Sequence, residues 1–293
     1  MRIDHRVSIL LLGSSVAGAA CDSKASPPSS GDPATPTLGA VQRASQREGI
    51  DPRPLVEGTL LPTGARITPE AVPGARFQTL NPDLSALPDF VADHAVTTAS
   101  SPDGKLLLVL TSGYNATTTP DDTGNFVPEL SNEYVFVYDI SVTPPVKRQV
   151  LMIPNSFVGM AWHPSGDAFY VSGGVDDNLH VFQRSGASSR TMFAEVTPAI
   201  ALGHSAGLGL AVPATAAGVG VDGDGRHAVV ANYENDSVSI VNLVTRAVSE
   251  VELRPGKIDG AQSGKAGGAY PYWIEVKGQG KRAKAYVSSQ RDR

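Results

Sequence analysis

Residues 219–243 read Val219-Gly-Val-Asp-Gly-Asp-Gly-Arg-His-Ala-Val-Val-Ala-Asn-Tyr-Glu-Asn-Asp-Ser-Val-Ser-Ile-Val-Asn-Leu243. Three short strand signals follow one another here. Val219 to Val221 enters a polar turn at residues 222–226, and Ala228 to Ala231 leaves it. A second turn at residues 232–236 then opens an alternating run carrying Val238, Ile240 and Val241. Short β-branched runs bounded by Gly, Asp and Asn clusters predict an antiparallel meander.

The same phrase recurs on both sides. Ser101-Pro-Asp-Gly-Lys105 precedes the apolar run 106–111 and, after a long polar loop, Tyr134-Val-Phe-Val-Tyr-Asp139. His163-Pro-Ser-Gly-Asp167 precedes residues 168–172 and then Leu179-His-Val-Phe182. Lys277-Gly-Gln-Gly-Lys281 precedes Ala285-Tyr-Val-Ser-Ser289. The turn glycines Gly104, Gly166, Gly225 and Gly280 are 62, 59 and 55 residues apart. A strand–turn–strand–loop–strand unit repeating at this period is the mark of a β-propeller blade with insertions. A twisted sheet with two apolar faces cannot bury both alone, and radial stacking buries blade against blade. The fold class expected is therefore all-β, a β-propeller.

The phrases Tyr170-Val-Ser-Gly-Gly174, Val229-Val-Ala-Asn-Tyr233, Tyr286-Val-Ser-Ser289 and Val238-Ser-Ile-Val-Asn-Leu243 resemble the YVTN-type repeats of YncE-like propellers. These are grouped with lactonase-type seven-bladed propellers. The run Ser131-Asn-Glu-Tyr-Val-Phe-Val-Tyr-Asp139 resembles a branch in which the propeller precedes a phosphoesterase domain. The resemblance covers the chain from about Thr59 onward. It implies about four blades of an expected seven, with further blades or a phosphoesterase domain expected downstream. The fourth blade is expected to break off before its third strand, leaving the Tyr286 edge unpaired and the face of residues 285–289 uncovered. Such repeats identify a fold and are shared by unrelated activities.

The N-terminus reads as a targeting segment over residues 1–21. Arg2 and Arg6 precede a short apolar run at residues 7–16, and small residues lead to Cys21, the single cysteine. That arrangement resembles a bacterial lipoprotein signal, in which Cys21 is diacylated and anchors the mature chain to a membrane. Gly18 departs from the aliphatic residue usual three places before the cysteine, and ordinary signal-peptidase cleavage near Ala19 is the alternative. Either way an exported, periplasmic or cell-surface protein is expected. With one cysteine no internal disulfide forms. Residues 22–54, rich in Ser, Pro, Ala and Gly, lack the apolar periodicity of a core and read as a disordered tether spanning roughly 30 Å. Residues 55–293 then carry the propeller. A net charge of −5 argues against nucleic acid as a partner.

The chemistry is less legible. Five histidines lie beyond the signal, and none has the spacing of a zinc site. His163 and His227 fall in first turns and His180 in a strand, which suits structural roles. His94 and His204 fall just before inner strands, where entry loops rim a propeller channel. Asp176, Asp177 and Glu234 occupy equivalent turns opening on the same face, where converging carboxylates would offer oxygen ligands to Ca²⁺. Asp and Asn are equally ordinary hairpin-turn residues. Tyr272, within Tyr270-Pro-Tyr-Trp273, offers a ring for a ligand at the channel mouth or for the inner core. Gly203-His-Ser-Ala-Gly207 matches a nucleophile elbow in letters only, since the elbow needs a strand–turn–helix context. The function expected is an exported, lipid-anchored binding or scaffold module for an unidentified protein or small molecule. The alternative is a lactonase-like hydrolase or the propeller half of a phosphoesterase.

Overall fold

Each repeated phrase folds as an antiparallel meander, because a tight glycine-containing turn returns one β-branched run directly onto the next. The computed structural model describes residues 10–12, 59–60, 66–67, 78–113, 115, 127–186, 192–204, 214–265 and 267–290. Cys21 and the 22–54 tether lie outside the described residues. Two short pieces come first in the chain. β1 is Leu10–Leu12, and β2 (Thr59–Leu60) pairs antiparallel with β3 (Arg66–Ile67) in a separate unit spanning residues 15–77.

The main unit is a β-propeller arc. The first blade is β4 (Ala95–Ser100), β5 (Leu106–Thr111), β6 (Glu133–Asp139) and β7 (Val146–Ile153), hydrogen-bonded in that order. The second is β8 (Met160–Trp162), β9 (Ala168–Ser172), β10 (Asn178–Arg184) and β11 (Phe193–Glu195), with β12 (Ile200–Ala201) pairing the start of β10. The third is β13 (Ala216–Val221), β14 (His227–Asn232), β15 (Ser237–Asn242) and β16 (Val248–Glu252). β17 (Pro271–Lys277) and β18 (Lys284–Ser289) begin a fourth. Each full blade thus carries an outer strand (β7, β11, β16) beyond the three expected from sequence.

The inner strands β4, β8, β13 and β17 stand side by side. Their backbones meet closely because glycine removes the side chain at the contact. A Cβ on Gly159 would lie 2.0 Å from the Ala217 carbonyl oxygen, and one on Gly218 would lie 2.6 Å from that of Tyr272. Both distances are far inside van der Waals contact, so neither position admits any larger residue without moving a blade.

Between the first and second blades the core is apolar. Leu108, Leu110, Val135 and Val137 meet Phe169, Val171, Phe182 and Phe193, all fully buried. Phe169 stacks on Phe182 at 4.9 Å and receives the edges of Phe193 at 5.1 Å and Trp162 at 5.5 Å. Polar ties reinforce both edges of this joint. The Trp162 indole donates to Ala99 O at the inner strands, and the Gln149 amide joins β7 to Met192 and Phe193 at the outer ones. Leu80, Leu84, Phe90 and Ala92 pack on the other face of the first blade, around Tyr134 and Phe136.

The start of the fourth blade differs from the expectation in two ways. Ala285 and Val287 are buried, with Ile274, against the third blade. The face pointing away carries Trp273, Glu275 and Lys277 opposite Ser288, Tyr286 and Lys284, a mixed rather than an apolar surface. The edge of β18 is also occupied: β1 runs parallel to it, pairing Leu10 with Tyr286 and Leu12 with Ser288. Strand pairing is indifferent to distance along the chain, so a remote apolar segment satisfies an edge that local reading leaves open.

Candidate functional site

The end of the arc where inner strands begin collects two kinds of residue, a buried polar cluster and a group of aromatic rings. The polar cluster starts from two aspartates in equivalent turns. Asp177, between β9 and β10, and Asp236, between β14 and β15, take φ of 50° and 51°. Aspartate tolerates this left-handed conformation because its short side chain bonds nearby backbone. Each then grips the segment entering the next blade. The Asp177 carbonyl accepts from Leu202 N–H at 2.9 Å, and its carboxylate from His204 N–H at 2.8 Å. Asp236 repeats the pair, its carbonyl taking Leu253 N–H and its carboxylate taking Tyr270 N–H, both at 3.0 Å.

His204 is only 1% exposed. Its Nδ1 lies 2.5 Å from Asp177 Oδ1, and its Nε2 lies 3.4 Å from Glu250 Oε1 on β16. The second contact is electrostatic and lacks hydrogen-bond geometry. Burial pulls the imidazole pKa down, but the hydrogen bond and charge of Asp177, joined by Glu250, outweigh it and hold the group above its ordinary value. Glu250 Oε1 also accepts from Ser237 Oγ at 2.5 Å and Asn235 Nδ2 at 2.6 Å. Asn232 continues the chain of bonds to Ser237 and Ser239. Sequence reading reached Asp177 and His204 but missed Glu250, Asn235 and Ser237. Ser237 and Glu250 meet across the paired strands β15 and β16, with Asn235 reaching them from the turn before β15, and β16 was not expected from sequence.

The remaining candidates disperse. Asp176 is exposed and accepts from Asn155 Nδ2 at 2.9 Å, whereas Asp177 beside it serves His204. The two carboxylates therefore do not form a shared oxygen cage of the kind Ca²⁺ needs. Among the described residues no group of three or more His, Cys, Asp or Glu is disposed to hold a metal ion. Glu234 is exposed in its turn. His94 is exposed immediately before β4, with φ of 56° and its carbonyl accepting from Ser112 N–H.

Tyr272 belongs to the aromatic group. Phe157, Tyr233, Tyr270 and Tyr272 are each half-buried and meet edge to face. Their ring centres are 5.6 Å apart for Phe157–Tyr233 and Phe157–Tyr272, and 5.3 Å apart for Tyr233–Tyr270. Phe157 precedes β8, Tyr233 lies in the β14–β15 turn, and the other two lead into β17, so three blades contribute rings at one mouth.

A groove of about 550 Å³ opens at the opposite end, between the second and third blades. His163, Tyr170, Gln183, Gly225, Leu243 and Val244 line it. Burial, assisted by the charge of Asp222, pushes the Tyr170 phenol up to about 12, so it stays protonated at any physiological pH. His163 is a wall of this groove rather than a reactive group, since its ring bonds Ser165 and the Gly225 carbonyl.

No family model matches the chain, and no curated protein matches it. Solved structures do. A functionally unknown protein from Desulfotomaculum acetoxidans aligns at 13% identity over 61% of this chain and 44% of that one, with a TM-score of 0.40. Regucalcin from Agrobacterium tumefaciens, a calcium-binding protein, aligns at 14% over 61% and 48%, with a TM-score of 0.36. The β-propeller domain of Cps50 (Swd1) from Myceliophthora thermophila aligns at 11% over 62% and 46%, with a TM-score of 0.37. The chain spans less than half the length of each.

Proposed function

We propose that this chain is an exported, YncE-like propeller module that binds a partner or small molecule at its entry-loop end and is tethered to a membrane through Cys21. Cleavage before Cys21 then removes β1 and reopens the edge of β18. The observation that carries the reading is the four-ring group of Phe157, Tyr233, Tyr270 and Tyr272, half-exposed beside the exposed Glu234. Tyrosine combines a broad apolar face with a polar tip and loses little side-chain entropy on binding, which makes such groups effective recognition surfaces. The buried carboxylates at the same end serve the blades themselves, Asp177 gripping His204 and Asp236 gripping Tyr270. That favours binding over the lactonase-like alternative, whose metal needs several oxygen ligands free to converge. Any phosphoesterase chemistry would belong to a domain following these blades.

A photo-crosslinking residue at each end tests the face. Benzoylphenylalanine in place of Glu234 should capture the partner in cell envelopes, and the same residue in place of Val244, 77% exposed at the other end, should not. Capture through Val244 alone overturns the assignment. Cys21→Ala should move the protein from membrane to soluble exported fractions, and unchanged partitioning removes the anchor.

A further inference from the structure

His204 stands between two carboxylates supplied by different blades, and the hydrogen-bond pattern shows which of their oxygens act as acceptors. Asp177 accepts twice from His204, through the ring Nδ1 and the backbone N–H, so both of its oxygens act as acceptors. Glu250 Oε1 accepts from Ser237 and Asn235, so that oxygen is an unprotonated acceptor. With Nδ1–H committed to Asp177, only the state of Nε2 is open. That atom is buried and faces Glu250 Oε1 at 3.4 Å. Protonated, it presents a positive N–H to an anionic oxygen. Deprotonated, it presents a lone pair to the same oxygen where little water can screen the repulsion.

We propose that His204 is a proton-operated clasp joining the second blade to the third, bridging Asp177 and Glu250 as an imidazolium and loosening that joint when Nε2 loses its proton. The position suits the role. The turn carrying Asp177 ends the second strand of one blade, His204 lies on the segment entering the next, and Glu250 sits on the outer strand of that next blade. The other charges nearby are engaged elsewhere. Asp236 lies 3.8 Å from Arg254, and Asp176 turns outward to Asn155. Two further histidine–carboxylate pairs each stay within one blade, His180 with Glu195 in the second and His227 with Asp222 in the third.

The sign follows from the direction of the shift. A histidine whose folded pKa is raised contributes stability that is fully present below its unfolded value of about 6.5 and is lost as pH rises through the folded pKa. The full chain is melted from pH 5 to pH 9 beside His204→Gln. Wild type should lose melting temperature through neutral pH, and the gap between the two proteins should narrow as pH rises. Subtracting the variant removes the contributions of His180 and His227. The ring proton of His204, followed by NMR in the wild-type chain, should titrate above 6.5 and move to lower pH in Glu250→Gln. This second measurement decides the matter if His204→Gln does not fold. Titration at or below 6.5, no movement in Glu250→Gln, or parallel melting curves for the two proteins would each overturn the clasp.

Discussion

The joint between the first and second blades and the joint between the second and third both have apolar middles but end in different polar chemistry. The first is filled by Phe169, Phe182, Phe193 and the leucines of β5. The second has an apolar middle, with Leu179, Val219, Val230 and Val241, but ends at the entry-loop end in Asp177, His204, Glu250, Ser237 and Asn235. Apolar contacts are non-directional and tolerate small rotations of one blade on another. A buried polar chain does not, because each donor left without its acceptor bears a desolvation penalty. The first joint is tied by neutral hydrogen bonds, such as those of Trp162 and Gln149. The second adds ionisable groups at the end where the aromatic group is presented.

The difference is open to attack by substitution, and the largest effect should come from the apolar joint. Phe169→Ala removes a ring packed on three others, and such truncations cost about 3–5 kcal/mol. Chemical denaturation should show that loss unchanged between pH 6 and pH 9, since no titrating group touches the ring. A loss that varied with pH would erase the contrast between the joints. Glu250→Ala should cost less, about 1–3 kcal/mol, by leaving Ser237 and Asn235 without their acceptor. Its cost should be larger at pH 6 than at pH 9, because the charge of His204 is also stranded at the lower pH. An equal cost at both would show that Glu250 serves its hydrogen-bond donors alone. The smallest effect belongs to the exposed pair Lys277–Glu275 on the outward face of β17. Lys277→Ala should leave the denaturation midpoint where it was, as solvent screens such pairs and their ordering entropy offsets the attraction.

The blades were legible because their signals are local. A turn such as Asp222-Gly-Asp-Gly-Arg226, followed by alternating valines, declares a hairpin whatever surrounds it, and β13, β14 and β15 fall on residues 216–242 as the reading required. The outer strands escaped notice for the converse reason. β16, Val-Ser-Glu-Val-Glu, and β7, Val-Lys-Arg-Gln-Val-Leu-Met-Ile, are mostly half-buried and carry charged or polar residues among their aliphatic ones, which blurs the alternation. Of the candidate residues at the mouth, Asp177 and His204 proved to be partners, while Asp176, adjacent in sequence, turned to Asn155. Residues 27 positions apart met, and residues one position apart did not.

Sequence alone therefore determined the repeated hairpins, the all-β class and the end of each blade at which His94, His204 and Tyr272 would lie. Those follow from turn chemistry and a period of two, which act within a few residues. Tertiary structure decided which polar groups face one another, through Gly159 and Gly218 setting how closely the inner strands approach and through Glu250 reaching His204 across a blade joint. It also decided what covers the edge of β18 in the uncleaved chain, where Leu10–Leu12 pairs with a strand near the other end. Contacts of that kind depend on the angle and separation of whole sheets, and no run of adjacent residues encodes either.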